Sequence, residues 1–468
     1  MLAAPRIYGR PGAKVSSERL TQIAVSAELA ARYNDTQPAP AGENPVEILA
    51  QQLQSLPPEL RWFYAQQDIL MAIIAGKLPV RGRWTRRADR VIAVASGIGL
   101  GRVLVALVNL LQLAKLYVRQ LSIRTGVPVS EPLFVGAGNL HEPHLIRLFE
   151  ELQGRAACVV DENELPSLCR HYRIGAFALL REWARMWRIS WPSLGGAGPH
   201  LMASPYLLAH LMVVGHKYSY FLAWFRRHLR TAPSPLIAFS SASNVVSYAA
   251  VSAGAFAIYL PHGFQRRTLI LPDFAEAYCS NRFEAAHLRR RLPHAKVSVL
   301  AEPMQMLETR PVIAIAGLYW DQDHVLFDLC RPLIAWAREA GFAVVVRKHP
   351  KDITGYWDQW RDVSGVEVVE KDYGFDFFLE EYRPRLLATW YSTTLFDALT
   401  TGVVPVTFTC DDINDVVFPF REIALRWPED ASTIRRLASD TRASAAFVSE
   451  RYANVIADGA AEPYGVFA

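Results

Sequence analysis

The chain has 468 residues, 51% of them apolar and 20% charged, with a formal charge of +5 and a pI near 8.9. That balance excludes global disorder and supplies apolar residues for two or three domains. The mild positive charge suits an anionic partner such as a nucleotide-activated substrate, an acidic glycan or an anionic membrane face. With no Lys/Arg-rich tail and no recognisable nucleic-acid module, it speaks against a nucleic-acid partner.

Residues 1–130 read as a helical extension without a chemical motif. Their amino-terminal run, MLAAPRIYGRPGAK, shows no apolar core followed by a small-residue cleavage site. Five scattered cysteines, Cys158, Cys169, Cys279, Cys330 and Cys410, form no CxxC pair. Neither a zinc site nor a disulfide framework is indicated, and a cytoplasmic location is expected. One apolar run, Val91–Leu116, is long enough to span a bilayer, which takes about 20 residues. Arg102 interrupts it at a cost of about 2.5–3.5 kcal/mol on insertion scales. Gly97, Gly99 and Gly101 weaken a continuous helix. The expectation is a buried strand-turn-helix or a core helix. The stretches ALLREWARMWRISW and YFLAWFRRHLR read as helices with aromatics inward and arginines in water. Peripheral contact at the cytoplasmic face of the inner membrane stays open.

Residues 131–305 carry the first α/β pattern. The strand PLFVGAG, the helix HEPHLIRLFEELQG and the strand AACVV make a βαβ unit ending on Asp161-Glu162-Asn163. PLIAFSS and AFAIYLPHG bracket a second unit, and AEAYCSN and AKVSVL follow as short strands. A boundary falls near AEPMQMLETR. Residues 306–468 then alternate cleanly, through the strands PVIAIAG, FAVVVRKHP, VEVVEKD, RLLATWYS and VVPVTFT with helices between them. Such alternation predicts parallel sheets with helices on both faces, hence an α/β chain of two Rossmann-like domains facing a cleft.

Open α/β sheets bind ligands beyond the carboxyl ends of their strands. The residues there are polar: Asp161-Glu162, His262-Gly263, Lys348-His349, Glu370 and Ser392-Thr393-Thr394. Hydroxyls at the start of a helix cap free amides, and those amides with the helix dipole attract phosphate. Lys348 and His349 both donate hydrogen bonds to oxyanions. Pro350 drives the chain out of helix at His349. Asp321–His324, DQDH, reads as a helix start rather than a metal site. No other acidic cluster indicates a metal, so metal-independent chemistry without a cofactor is expected.

VVVRKHPKD followed by YSTTLFDALTTGVVPV resembles the HP and SS/ST motif pair of bacterial GT-B glycosyltransferases. These include the sialyl- and polysialyltransferases, the capsular Kdo transferases and the CDP-glycerol glycerophosphotransferases. The resemblance covers roughly residues 236–409. It implies a carboxyl-terminal donor domain in which His349, Ser392 and Thr393 hold nucleotide phosphate, with Lys348, Pro350, Glu370 and Thr394 beside them. It implies an acceptor domain before it, facing a glycan or lipid-linked glycan. LPHGFQRR resembles the HG element of the Kdo and glycerophosphate transferases. His262 there is open to donor binding, acceptor orientation or base catalysis, and Arg266 and Arg267 to an acidic acceptor. Asp161-Glu162 stands where the sialyltransferases carry an acidic motif supplying the base, although Asn163 replaces its glycine. The implied activity is an inverting transfer of a CMP-activated acidic sugar in surface-polysaccharide assembly. A CDP-polyol phosphotransferase, a non-catalytic nucleotide-sugar or polysaccharide binder and a sugar-nucleotide epimerase are the alternatives.

Overall fold

A computed structural model describes residues 100–126, 129, 131–136, 142–153, 157–161, 168–193, 205–232, 236–240, 245–261, 270–299, 304–318, 323–350, 352, 355–370, 374–390, 392–408 and 423–456, with Gln54, Arg61, Trp62, Val91, Val94 and Ala95 before them. Two six-stranded sheets organise these residues. The first contains β1 (Leu133–Gly136), β2 (Cys158–Asp161), β3 (Leu236–Phe239), β4 (Phe256–Tyr259), β5 (Glu276–Cys279) and β6 (Lys296–Val299) in the order β2-β1-β3-β4-β5-β6. The second contains β7 (Arg310–Ala316), β8 (Ala343–Arg347), β9 (Val366–Val369), β10 (Pro384–Ala388), β11 (Val404–Phe408) and β12 (Leu425–Trp427) in the order β12-β11-β10-β7-β8-β9.

Every strand pair is parallel. Parallel strands are covered on both faces, which is why β8 reads as a continuous apolar run up to Arg347. The second sheet has the doubly wound order of a dinucleotide fold, with its topological switch between β7 and β10. In the first sheet the switch lies between β1 and β3. The chain is therefore the expected α/β protein of two Rossmann-like domains.

The helices of the first domain are α1 (Gly101–Leu121), α2 (Glu142–Gln153), α3 (Ala176–Ser193), α4 (Pro205–Thr231), α5 (Val245–Ala253) and α6 (Arg282–Arg291). Those of the second are α7 (Asp323–Glu339), α8 (Phe375–Tyr382), α9 (Thr394–Thr400), α10 (Ala431–Ser439) and α11 (Thr441–Ile456). The domains meet through α6 and α11. Leu395, fully buried at the start of α9, belongs to the apolar core of the first domain, and Phe283 of α6 packs on the core of the second.

The expectation for the run 91–116 needs correction. The helix described begins at Gly101, with Arg102 in its first turn, and Gly97 and Gly99 lie outside the described residues. It lies against α4 and α3, burying Gly101, Val105, Asn109, Leu113 and Gln120. Its opposite face is exposed, so it is not a core helix. Hydrophobic periodicity marks an apolar face but does not say what covers it. The polar contacts made by residues before 130 also reach the first domain. Gln54 exchanges hydrogen bonds with the backbone of Leu271 at 2.9 and 2.8 Å, and Trp62 stacks on Tyr218 with ring centroids 4.2 Å apart.

Two histidines of α4 are held neutral by burial. Desolvation pushes His216 and His228 down to about 4, helped by Lys217 and His171 respectively. His228 stacks on Trp224 at 5.5 Å, and neither ring nitrogen has a hydrogen-bond partner among the described residues. With the folded value below the unfolded one of about 6.5, the unfolded chain binds more protons between those values. The contribution to stability is complete above about pH 6.5 and is lost as pH falls towards 4. The melting temperature should therefore drop over that window. His228→Phe, which keeps the ring stacking, should make the drop shallower in a pH series of thermal melts.

Candidate functional site

The site is built where β10, β7 and β8 end side by side. The hydroxyl of Thr389, just past β10, donates to the carbonyl of Ala316 at the end of β7 at 2.7 Å. The amide of Gly317 donates to the carbonyl of Arg347 at the end of β8 at 2.9 Å. Gly317 has no room for a side chain. A Cβ there would lie 2.9 Å from Trp357 Nε1, 3.2 Å from the Arg347 carbonyl and 3.3 Å from the His349 amide. Glycine is thus needed for close approach of the backbones.

His349 is the second residue after β8 and is half-buried. Its carbonyl accepts from the amide of Asp352 at 2.8 Å, closing the turn that contains Pro350. Ser392, Thr393 and Thr394 follow β10. Ser392 Oγ accepts from the Thr394 hydroxyl at 2.9 Å and the Thr394 amide at 3.4 Å. The cap on α9 is therefore Ser392 rather than Thr393, which makes no side-chain cap bond and stands exposed. Because β8 and β10 both border β7, the two motifs flank the switch point, separated at the strand ends by two interstrand spacings, roughly 10 Å.

Lys348 and Glu370, both expected beside the donor, share one ion-paired group. Lys348 is buried, with Nζ 2.5 Å from Asp358 Oδ1 and 3.8 Å from Glu370 Oε2. Arg361 completes the group, with Nε 2.7 Å from Asp358 Oδ1 and a second contact to Glu370. The Lys348 hydrogen bond holds the Asp358 carboxyl below the usual carboxylate range. The reason is register. The Lys348 amide donates to the Val369 carbonyl, so the residue after β8 lies beside Glu370, the residue after β9. The cationic loop is therefore balanced by two carboxylates, and its charge positions the loop on which His349 sits.

In the first domain Asp161 closes β2 opposite Gly136 at the end of β1. The amide of Ser240, after β3, donates to the Val135 carbonyl at 3.2 Å. Glu162, His262, Arg266 and Arg267 lie outside the described residues. Among the described residues no group of three or more His, Cys, Asp or Glu side chains is placed to hold a metal ion; Asp323 and His324 of the DQDH run open α7, and Asp321 and Gln322 lie outside the described residues.

Gly317, Thr389, Asp358 and Arg361 are absent from the sequence-based candidates. A glycine closing the strand run PVIAIAG signals close backbone approach, so Gly317 was legible. Asp358 and Arg361 lie in and just after a 3-10 turn, Tyr356–Trp360, and carry no motif.

No protein-family model matches the chain, and no curated protein matches it in sequence. Similar solved structures include the Neisseria meningitidis UDP-GlcNAc 2-epimerase bound to UDP-GlcNAc, 10% identical over 69% of this chain and 93% of that one, with a TM-score of 0.42. The lipopolysaccharide outer core galactosyltransferase WaaB is 10% identical over 68% and 95%, with a TM-score of 0.41. Arabidopsis thaliana UGT89C1 complexed with UDP is 11% identical over 70% and 96%, with a TM-score of 0.40. The fold assignment rests on the two strand orders themselves.

Gly317→Ala should destabilise the second domain by about 1–3 kcal/mol, the usual cost of overpacking. Chemical denaturation measures it.

Proposed function

We propose that the chain is an inverting, metal-independent glycosyltransferase that binds a nucleotide-sugar on its second domain and an acceptor glycan on its first. One observation carries this reading. The strand order sets His349 and the Ser392–Thr394 hydroxyls on either side of the β7/β10 switch point, where open sheets of this order take nucleotides. Leu395, next to those hydroxyls, reaches the core of the other domain, so that switch point borders the acceptor side.

The chemistry follows from the residue types. His349, Thr393 and the capped start of α9 donate hydrogen bonds to the phosphate that leaves, where charge develops. The ion-paired Lys348, Asp358, Arg361 and Glu370 hold the His349 loop in place. The acceptor hydroxyl attacks the anomeric carbon in line with nucleotide departure and loses its proton to Asp161, Glu162 or His262. A CMP-activated acidic sugar such as Kdo or sialic acid is the favoured donor on the motif resemblance. The proposed setting is bacterial surface-polysaccharide assembly at the cytoplasmic face of the inner membrane.

Thermal melts with CMP, CDP, UDP and GDP test the donor site. A ligand at 100 times its Kd stabilises the folded state by about 2.7 kcal/mol. CMP should raise the melting temperature, His349→Ala should abolish the rise and Asp161→Ala should keep it. If no nucleotide shifts the transition, the donor-site reading fails. Incubation of the matching nucleotide-sugar in EDTA, with and without glycan acceptor, separates the reactions. Transferase activity requires acceptor for full turnover and survives chelation. An epimerase converts donor alone, and a binder releases no nucleotide.

A further inference from the structure

The α1 helix is long and apolar enough to cross a membrane, yet only a minor part of it is buried. Its exposed apolar residues are Leu100 just before it, then Val103, Leu107, Leu111, Val118 and Leu121. At 3.6 residues per turn they fall within a sector of about 80°. Leu111 is 70% exposed and Val118 65%. Isolated exposed leucines are ordinary, but an unbroken stripe along a whole helix marks an interaction surface.

The opposite face is fixed to the protein by polar contacts. Asn109 Nδ2 donates to the Leu211 carbonyl at 3.0 Å, at a point where α4 carries Gly215 directly against Asn109. Gln120 Nε2 donates to the Ile174 carbonyl at 2.6 Å, and the Ile174 amide returns a bond to Gln120 Oε1 at 3.0 Å. A helix anchored this way along its length lies on the domain and does not leave it to span a bilayer. The Gln120 clamp also brings the start of α3 beside the last turn of α1. On that helix Phe177, 80% exposed, and Leu180 add exposed apolar residues.

Charge decides what this surface meets. Lys115 and Arg119 stand exposed on α1, and Arg181, Arg185 and Arg188 on α3 follow Phe177 and Leu180 along that helix's exposed side. The only acidic residue in α1, α3 and α4 is Glu182, which is fully buried and ion-paired with Arg226 and Arg181. A stripe of apolar side chains with cations beside it and no exposed carboxylate on these helices fits an anionic lipid surface. A second copy would bring like charges together.

We propose that α1 and the start of α3 form a monotopic membrane-docking face, seated in the interface of an anionic bilayer with the apolar stripe among the acyl chains. The inference stands on surface chemistry and does not depend on the reaction assigned to the cleft. Flotation of the full chain with phosphatidylcholine vesicles, with or without phosphatidylglycerol, tests it. The wild-type chain should float with the phosphatidylglycerol vesicles and weaken as salt is raised. Leu107→Glu/Leu111→Glu and, separately, Arg185→Glu/Arg188→Glu should each lower binding by roughly tenfold or more. Both pairs are exposed, so melting temperatures should stay unchanged and show that the variants fold.

Three results would overturn the proposal: no flotation with either vesicle; undiminished flotation of the leucine variant; or a dimer in light scattering that Leu107→Glu/Leu111→Glu dissolves while vesicles bind nothing. The last would assign the face to a second copy. Nucleotide melts on the same samples report the cleft separately.

Discussion

Three strand ends tied together by two hydrogen bonds govern the second domain. Thr389 bonds to the end of β7, and Gly317 bonds from there to the end of β8. Each bond links the first residue beyond one strand to the last residue of its neighbour. The loops that carry Ser392 and His349 therefore leave the sheet from fixed points. A side chain at residue 317 would force the backbones apart, which makes the absence of a Cβ as much a part of the site as any functional group.

Charge balance follows from the same register. A buried lysine at a strand end carries a desolvation penalty unless it is paired. Here the adjacent strand delivers Glu370, and the 3-10 turn delivers Asp358. Arg361 bonds to both carboxylates and closes the group. Lys348 is thus a support for its neighbour. His349 stands one residue on, in the turn that the Asp352 amide closes.

Much of this arrangement was legible before any coordinates. β-branched runs bounded by glycine, proline and charge located the strands, and their alternation with helices fixed the parallel sheets. The positions of His349 and Ser392 at strand ends followed at once. Other features depend on tertiary geometry and leave no local trace. Nothing in YWDQWRD says that Asp358 meets a lysine ten residues earlier. Nothing in GRVLVALVNLLQLAKL says which side of the helix the protein covers, because apolar periodicity is alike for a core helix and for one seated on a surface. The expectation of a core helix failed at that step. Even so, two of the residues that weighed against a spanning helix, Gly101 and Arg102, lie in its first turn.

The short helix α9 links the site to the arrangement of the two domains. At its start Ser392 caps the backbone beside the proposed phosphate position. Three residues further, Leu395 is buried in the core of the first domain. At its end the carbonyls of Thr400 and Thr401 accept from Gln305 and Leu307, in the segment that joins the domains. Gly402, in a left-handed conformation, lets that segment pass where a Cβ would meet Met306 and Leu307. One element of seven residues therefore touches the candidate donor site, the opposing domain and the connecting chain. Withdrawing Leu395 from its core would cost about 2–5 kcal/mol by analogy with deleting a buried leucine. A change in domain spacing that leaves that contact intact must carry α9 with it, and with α9 the hydroxyls that flank the switch point.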